Sequence, residues 1–265
     1  MTGSQHRLAL HLVSDLDGTW ILDTPAGEAG LFRLEAFLDR HPDIVLTFAT
    51  GRGLASALAL LAARIRRLPE HLVTDVGTAL YHRTPDGRWI EDPGYRAWVD
   101  ARWPRDLDAR LARAGLPEGV RPQPGVAACR RLALEAAPGV ALDAAAARLR
   151  ALLDRLGLEV QVLASHHRLL DVLPPGLDKG SAVRYLGLPL PVVACGDSDN
   201  DHGLWRVADL PVLMAGHSLA PDRPGPESRL EPRLVRPAAA GPDGILEVLA
   251  GLEAAATAAT TRSLR

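Results

Sequence analysis

Short, mostly apolar runs recur along this chain at residues 8–13, 44–49, 71–75, 191–195 and 210–214, and each stops at a polar turn. At five or six residues they are too short for ordinary helices. They lack the strict alternation of a half-exposed strand, so they read as strands buried on both faces. Between the first three lie segments with helical spacing. Leu31, Leu34 and Leu38 repeat within residues 31–40. Leu54, Leu58, Leu61 and Ile65 make one stripe within residues 54–68, with Arg64, Arg66 and Arg67 where cations suit a helix C-terminus. Strand, helix, strand, helix, strand is the pattern of a parallel sheet with right-handed crossovers. It resumes after residue 176, with helices expected at 178–186, 201–207 and 243–252.

The rhythm differs in between. Thr84-Pro85-Asp86-Gly87 is a strong turn. Beyond it a helix is expected at 95–114, interrupted at Pro104, and another at 143–156. Leu158, Val160 and Val162 alternate with Glu159 and Gln161, as in an antiparallel sheet with one open face. The expected fold class is α/β, a Rossmann-like three-layer parallel-sheet core from residues 1–83 and 173–265, with an inserted α+β domain at 84–172. The Pro- and Arg-rich stretch 221–237 reads as a surface excursion and 255–265 as a disordered tail.

The 265 residues are ample for a core, and 47% hydrophobic with 23% charged residues is ordinary for a globular protein. A formal net charge of -2 argues against a general nucleic-acid binder and leaves small anionic substrates open. Cys129 and Cys195 sit in no Cys/His cluster, so neither a disulfide framework nor a zinc site is indicated. Residues 1–7 lack an apolar signal core, and no apolar stretch approaches the roughly 18 residues needed to span a bilayer, so a cytoplasmic protein with no membrane partner is expected. Nothing requires more than a monomer.

The first apolar run ends in Ser14-Asp15-Leu16-Asp17-Gly18. Positions two apart on a strand share a face, so the two carboxylates would emerge together at the strand end. At an effective dielectric of about 20, like charges about 4 Å apart cost roughly 4 kcal/mol. Such a pair calls for a cation or a raised pKa, unless Asp and Gly serve here only as turn formers. A calcium loop is excluded by spacing, because its sixth and twelfth positions fall on Trp20 and Ala26.

Parallel strands end on one sheet edge, where ligands of such folds sit. Four polar clusters fall at or near that edge: Asp15 with Asp17, Thr50 with Gly51, Lys179 with Gly180, and Gly196-Asp197-Ser198-Asp199-Asn200-Asp201. The last also fails as a calcium loop, with His202 and Ala208 at the diagnostic positions. The set D-L-D-G-T, T-G-R, D-K-G and G-D-S-D-N-D resembles the four motifs of the haloacid dehalogenase superfamily of phosphohydrolases, over residues 8–252. Residues 12–20, Ala49-Thr50-Gly51-Arg52, Val76-Gly77-Thr78 and Asp171-Val172-Leu173-Pro174 further resemble its sucrose-phosphate phosphatase subfamily, in which the insertion is a type 2 (C2) cap.

The resemblance implies an Mg²⁺-dependent phosphatase. Asp15 would attack phosphorus and form an aspartyl-phosphate, and Asp17 would move protons. Thr50 and the Gly51 amide would hold phosphoryl oxygens, Lys179 would neutralise their charge, and Gly18, Arg52 and Arg131 would contact the substrate. Asp15, the Asp17 carbonyl, Asp197 and Asp201 would hold or position the metal, with Ser198 and Asn200 supporting the loop. Asp199 is expected to face solvent, and His166-His167 to be a polar turn.

Trp89, Trp98 and Trp103 are available to stack on sugars or to fill a small core. Ala79 stands where the family usually carries an acidic residue, so beside sucrose 6-phosphate other phosphorylated disaccharides or glycosides stay open: mannosylfructose phosphate, glucosylglycerol phosphate, mannosyl- or glucosyl-phosphoglycerate. The expected function is hydrolysis of such a small-molecule sugar phosphate, in a chain functionally paired with a glycosyltransferase. The alternatives are a sugar phosphomutase or phosphotransferase using the same aspartyl-phosphate, and a non-catalytic sugar-phosphate-binding partner of a glycosyltransferase.

Overall fold

Every residue of β1 (Leu10–Ser14) is buried, which requires cover on both faces of the strand. Side chains alternate accordingly. Leu10 and Leu12 enter a cluster with α1 (Pro25–Arg40), α2 (Leu54–Arg64) and α8 (Gly241–Ser263), whereas Val13 enters the opposite cluster with α3 (Pro93–Asp100), α6 (Lys179–Leu186) and α7 (His202–Val207). The result is a three-layer α/β unit. The computed structural model describes residues 8–128, 130–217 and 233–263.

The sheet has seven strands in the order β11 (Leu210–Leu213), β10 (Val192–Gly196), β1, β2 (Ile44–Ala49), β3 (His71–Thr74), β4 (Ala79–Arg83) and β5 (Trp89–Glu91). The first five are parallel, as the apolar runs imply; β4 and β5 extend the edge antiparallel. The chain moves outward from β1 through β2 to β3, while β10 and β11 lie on the other side. This reversal of winding leaves a crevice at the carboxyl ends of β1 and β10.

A second sheet, antiparallel throughout, runs β6 (Val120–Pro122), β7 (Leu132–Ala136), β9 (Leu169–Leu173), β8 (Gln161–Ser165). With α4 (Leu107–Ala114) and α5 (Leu142–Arg155) it buries its own cluster around Leu134, Leu149, Leu170 and Val172. The helix expected at 95–114 is two, α3 and α4, separated around Pro104.

Several boundaries differ from expectation. The Thr84–Gly87 turn joins β4 to β5 within the larger sheet, and Tyr95 and Val99 of α3 pack in that sheet's cluster. Residues 84–100 therefore belong with the larger sheet, because a hairpin and a capping helix read locally like the start of a new unit. α8 continues through the stretch expected to be disordered, reaching Ser263. Ala255, Ala256, Ala258 and Ala259 sustain it, since alanine loses no side-chain entropy in a helix. The surface excursion expected at 221–237 lies outside the described residues as far as 232, and so does Cys129. Within the described end of that stretch, Val235 bridges to Val212 of β11. Among the described residues, no helix is long and apolar enough to cross a membrane.

Candidate active site

Asp15 directly follows β1 and Asp197 directly follows β10, so the parallel pairing of these strands brings two residues 182 positions apart to one crevice. The loop after Asp15 turns tightly. Gly18 adopts φ 81°, and its amide donates to the Ile21 carbonyl at 3.0 Å. A β-carbon on Gly18 would lie 2.6 Å from Asp197 Oδ2, so only glycine lets the two loops meet. Thr19 Oγ1 donates to Asp197 Oδ1 at 3.2 Å.

Lys179 opens α6, whose N-cap Asp178 forms a capping box with Ser181. A β-carbon on Gly180 would strike the Gly203 carbonyl, so glycine permits α6 and α7 to close up behind the lysine. The ammonium is fully buried and donates at 2.8 Å to Asp15 Oδ1, Asn200 Oδ1 and Asp201 Oδ1. Asp201 Oδ2 in turn accepts the amides of Asp197 (3.0 Å) and Ser198 (3.1 Å), tying down the acidic loop.

Asp15, Asp197 and Asp201 each bring a carboxylate oxygen within 4.8 Å of the others. Burial, reinforced by Asp201 and Asp197 and opposed by Lys179, holds the Asp15 carboxyl well above the usual range. Burial, with Asp201, pushes Asp197 up to about 6. Burial also disfavours the Lys179 ammonium, but Asp15 and Asp201 outweigh it and the net shift is upward. With all three ionised, the carboxylates against one ammonium would leave two negative charges uncompensated, which is why their pKa values rise when no further cation offsets them. An all-oxygen donor set with that deficit fits a hard divalent cation.

Above this cluster opens a cavity of about 560 Å³. Asp15, Asp17, Gly51, Arg52, Arg131 and Asn200 line it; Gly18, Thr50, Lys179, Asp197, Ser198 and Asp201 do not. The Asp17 carboxylate, half exposed, is gripped by Arg52 through Nε to Oδ2 at 2.8 Å and a terminal nitrogen to Oδ1 at 2.6 Å. Thr50 is buried, and its hydroxyl accepts the Arg52 amide at 3.1 Å.

Arg131, immediately before β7 of the smaller sheet, is buried in the wall. Its guanidinium donates to the Gly51 carbonyl at 3.0 Å and to Asp171 Oδ1 at 3.1 Å, and lies 3.5 Å from Asp75 Oδ1. It therefore spans the two sheets. Burial raises Asp171 to about 6 against the pull of Arg131, and Asp75 is raised too, by burial, with Arg131 again opposing. Asp75 and Val76 sit at φ 53° and 58°, a left-handed geometry that β-branched valine rarely adopts.

One other expectation is corrected. Asp199 does not face solvent: its side chain is only 11% exposed and lies 3.6 Å from His202, because the short 3₁₀ turn Asp199–Asp201 folds it inward. None of the three tryptophans lines the cavity. Trp89 and Trp98 pack against the two clusters of the larger sheet and Trp103 against that of the smaller. His166 and His167 do form a turn, yet His166 enters the cavity wall. Sequence reasoning assigns no role to His166, Asp75, Asp171 or to Gln123, which also lines the cavity. Only Asp171 carries a signal, as part of the Asp-Val-Leu-Pro motif.

The signature of the sucrose-6F-phosphate phosphohydrolase family matches residues 8–250. A glucosylglycerol-phosphate synthase of Pseudomonas anguilliseptica is 34% identical over 72% of this chain and 24% of its own length. The mannosylfructose-phosphate phosphatase of Agrobacterium fabrum is 29% identical over 78% of this chain and 83% of its own. The chain spans about half the length of the plant sucrose-phosphatases it matches. Among solved structures, the sucrose-phosphatase of Synechocystis sp. PCC6803 in complex with sucrose and phosphate superposes with a TM-score of 0.76 at 28% identity, covering 93% of this chain and 98% of that one. The fold is shared with haloacid dehalogenase-like hydrolases more widely. A signature match across almost the whole chain, on a fold shared with a solved sucrose-phosphatase, places the chain in the sucrose-6F-phosphate phosphohydrolase family.

Proposed function

We propose that this chain is an Mg²⁺-dependent phosphomonoester hydrolase acting on a phosphorylated disaccharide or glycoside through an aspartyl-phosphate on Asp15. The observation that carries the reading is the buried Lys179 ammonium, which holds Asp15, Asp201 and Asn200 at 2.8 Å beneath an open cavity. A fixed cation beside a carboxylate that is aimed at a cavity is what attack on an anionic phosphoryl group needs.

Asp15, the Asp17 carbonyl, Asp197 and Asp201 would hold or position the ion, which when bound masks charge between carboxylate and phosphoryl oxygens. An Asp15 carboxylate oxygen attacks phosphorus, and the bond from phosphorus to the sugar oxygen breaks. Lys179, Thr50 and the Gly51 amide compensate charge on the phosphoryl oxygens. Asp17 gives the departing sugar oxygen its proton, then takes one from the water that cleaves the aspartyl-phosphate. Arg52 grips Asp17 in this structure. Exchange of Asp17 for the substrate's phosphoryl group would free that carboxyl to carry the proton.

The smaller unit serves as a cap over the crevice, excluding water and contacting the sugar through Arg131 and its neighbours. The cavity volume suits a disaccharide phosphate. The names of the relatives support sucrose 6F-phosphate, mannosylfructose phosphate and glucosylglycerol phosphate as candidates. Each is a product of glycosyl transfer, which supports pairing with a glycosyltransferase.

Purified protein with Mg²⁺ should release inorganic phosphate from at least one of these three and stop on addition of EDTA. Isomerised sugar phosphate without free phosphate would replace the hydrolase reading with a mutase. No reaction across the panel would leave a binding role.

A further inference from the structure

The hairpin joining β8 to β9 turns at Ser165–Arg168, closed by the Arg168 amide donating to the Ser165 carbonyl at 3.2 Å. Its two central residues are His166 at φ 50° and His167 at φ 60°, the dihedral signature of a turn that favours glycine, asparagine or aspartate at both positions. Two histidines kept in left-handed backbone mark a site where something other than turn geometry chose the side chain. They point apart. His167 is exposed, whereas His166 lines the cavity next to Asp17, Asn200 and Leu169.

His166 Nε2 lies 3.4 Å from Ser198 Oγ and 3.5 Å from Asn200 Nδ2, across the boundary between the two units. Hydrogen-bond logic orients this contact. The Lys179 ammonium has only protons to offer, so the Asn200 carbonyl oxygen must face it, as it does at 2.8 Å. The Asn200 amide nitrogen is thereby turned toward His166, and Nε2 has to accept. The imidazole is then neutral, with its proton on Nδ1. Ser198 Oγ is occupied elsewhere, donating to Asn200 Oδ1 at 3.1 Å. A continuous path runs from Lys179 through Asn200 to the hairpin tip.

We propose that His166 is a positioning residue: a latch that seats the hairpin of the smaller unit on the Ser198–Asn200 loop and so holds the cavity closed around the sugar of a bound substrate. This rests on the cavity being the substrate site, but the latch itself can be tested without any substrate. His166→Gly relaxes the turn while removing the imidazole, so fold and latch respond in opposite directions. His167→Gly relaxes the same turn and leaves the imidazole in place.

The decisive measurement is hydrogen exchange of the amides in residues 161–173, alongside the unfolding temperature, for the wild type and both variants. A latch predicts that His166→Gly unfolds no lower than wild type yet exchanges in this hairpin about 5- to 10-fold faster, while His167→Gly exchanges no faster than wild type. Unchanged or slower exchange in His166→Gly, or equal acceleration in both variants, would overturn the latch. If sucrose 6F-phosphate proves a substrate, its KM should rise by a similar factor in His166→Gly, and by more than kcat for the same substrate falls. Failure of wild type to hydrolyse any sugar phosphate would sink the functional reading and leave the exchange result standing on its own.

Discussion

The buried cluster beneath the cavity, its floor, and the wall that lines the cavity are built differently. The floor comes from strand ends and helix starts of the parallel sheet: Asp15 after β1, Thr50 after β2, Asp197 after β10, Lys179 at the first turn of α6. Each is set by the strand or helix it terminates, and buried groups lock them together. The wall comes from the smaller sheet and from the left-handed turn after β3. There Arg131 spans to Asp75, Asp171 and Gly51, and His166 reaches Ser198 and Asn200 over longer distances. A tightly buried floor and a more loosely joined wall suit a division in which one performs a fixed chemistry and the other admits and selects the sugar.

The most severe way to break this division is at Asp15. Asp15→Asn keeps the volume and removes the nucleophile's charge. Turnover should fall at least about 10⁴-fold with the fold and Mg²⁺ binding largely retained, as read by phosphate release, circular dichroism and metal titration. Wild-type-like activity would end the covalent proposal and make the floor no more catalytic than the wall.

Lys179→Met comes next. It leaves Asp15, Asp201 and Asn200 without their shared donor, and removing one partner of a buried pair typically costs about 3 to 5 kcal/mol. Activity should drop at least about 10²- to 10³-fold. Thermal unfolding with and without Mg²⁺ checks the charge argument, because the divalent cation should restore part of the lost stability. A variant as stable as wild type would mean that the carboxylates are already protonated in the native state.

On the wall, Arg131→Met should raise KM for the sugar phosphate by about 10- to 100-fold, the range for losing charged hydrogen bonds. The kcat for p-nitrophenyl phosphate, which has no sugar to grip, should change less than about 3-fold. If kcat for this small ester fell as far as it does for Lys179→Met, wall and floor would share one role.

The last effect is one of stability, at Asp171. Burial raises its carboxyl from 3.8 to about 6, with Arg131 pulling the other way. Between about pH 4 and pH 6 the folded protein keeps a proton that the unfolded chain has released, so this group costs stability as pH rises through that window. Asp171→Asn should therefore gain about 2 to 3 kcal/mol on wild type between pH 4 and pH 7 in denaturant titrations. A pH-independent difference would show Asp171 to be solvated and the wall looser than described.

Most of the floor is legible in the sequence. Periodicity marks the apolar runs as parallel strands, parallel strands share an edge, and the polar residues after them have to meet there. The two antiparallel strands β4 and β5 are not legible, because their hairpin looks the same whether it extends a sheet or starts a new unit. The alanine-rich end of α8 reads as a tail only while its position near the terminus outweighs helix propensity, and in the fold propensity wins. Arg52 is legible as a cation at the site, but its grip on Asp17 is not. That pairing depends on the depth at which two separate loops end.

The sequence by itself determined which chemical groups stand at the edge of the sheet: the carboxylates of Asp15, Asp17, Asp197 and Asp201, and the ammonium of Lys179. Strand direction and helix capping are local rules, and they carry these residues to one place whatever the rest of the chain does. Only the tertiary structure decided what faces them. The reach of Arg131 to Asp75 and Asp171 and the approach of His166 to Asn200 depend on how two sheets with separate cores settle against each other. The inward turn of Asp199 depends on the packing of its own short 3₁₀ turn. No local pattern encodes the docking of the two sheets, because it arises from burial and charge pairing between residues 34 to 80 positions apart.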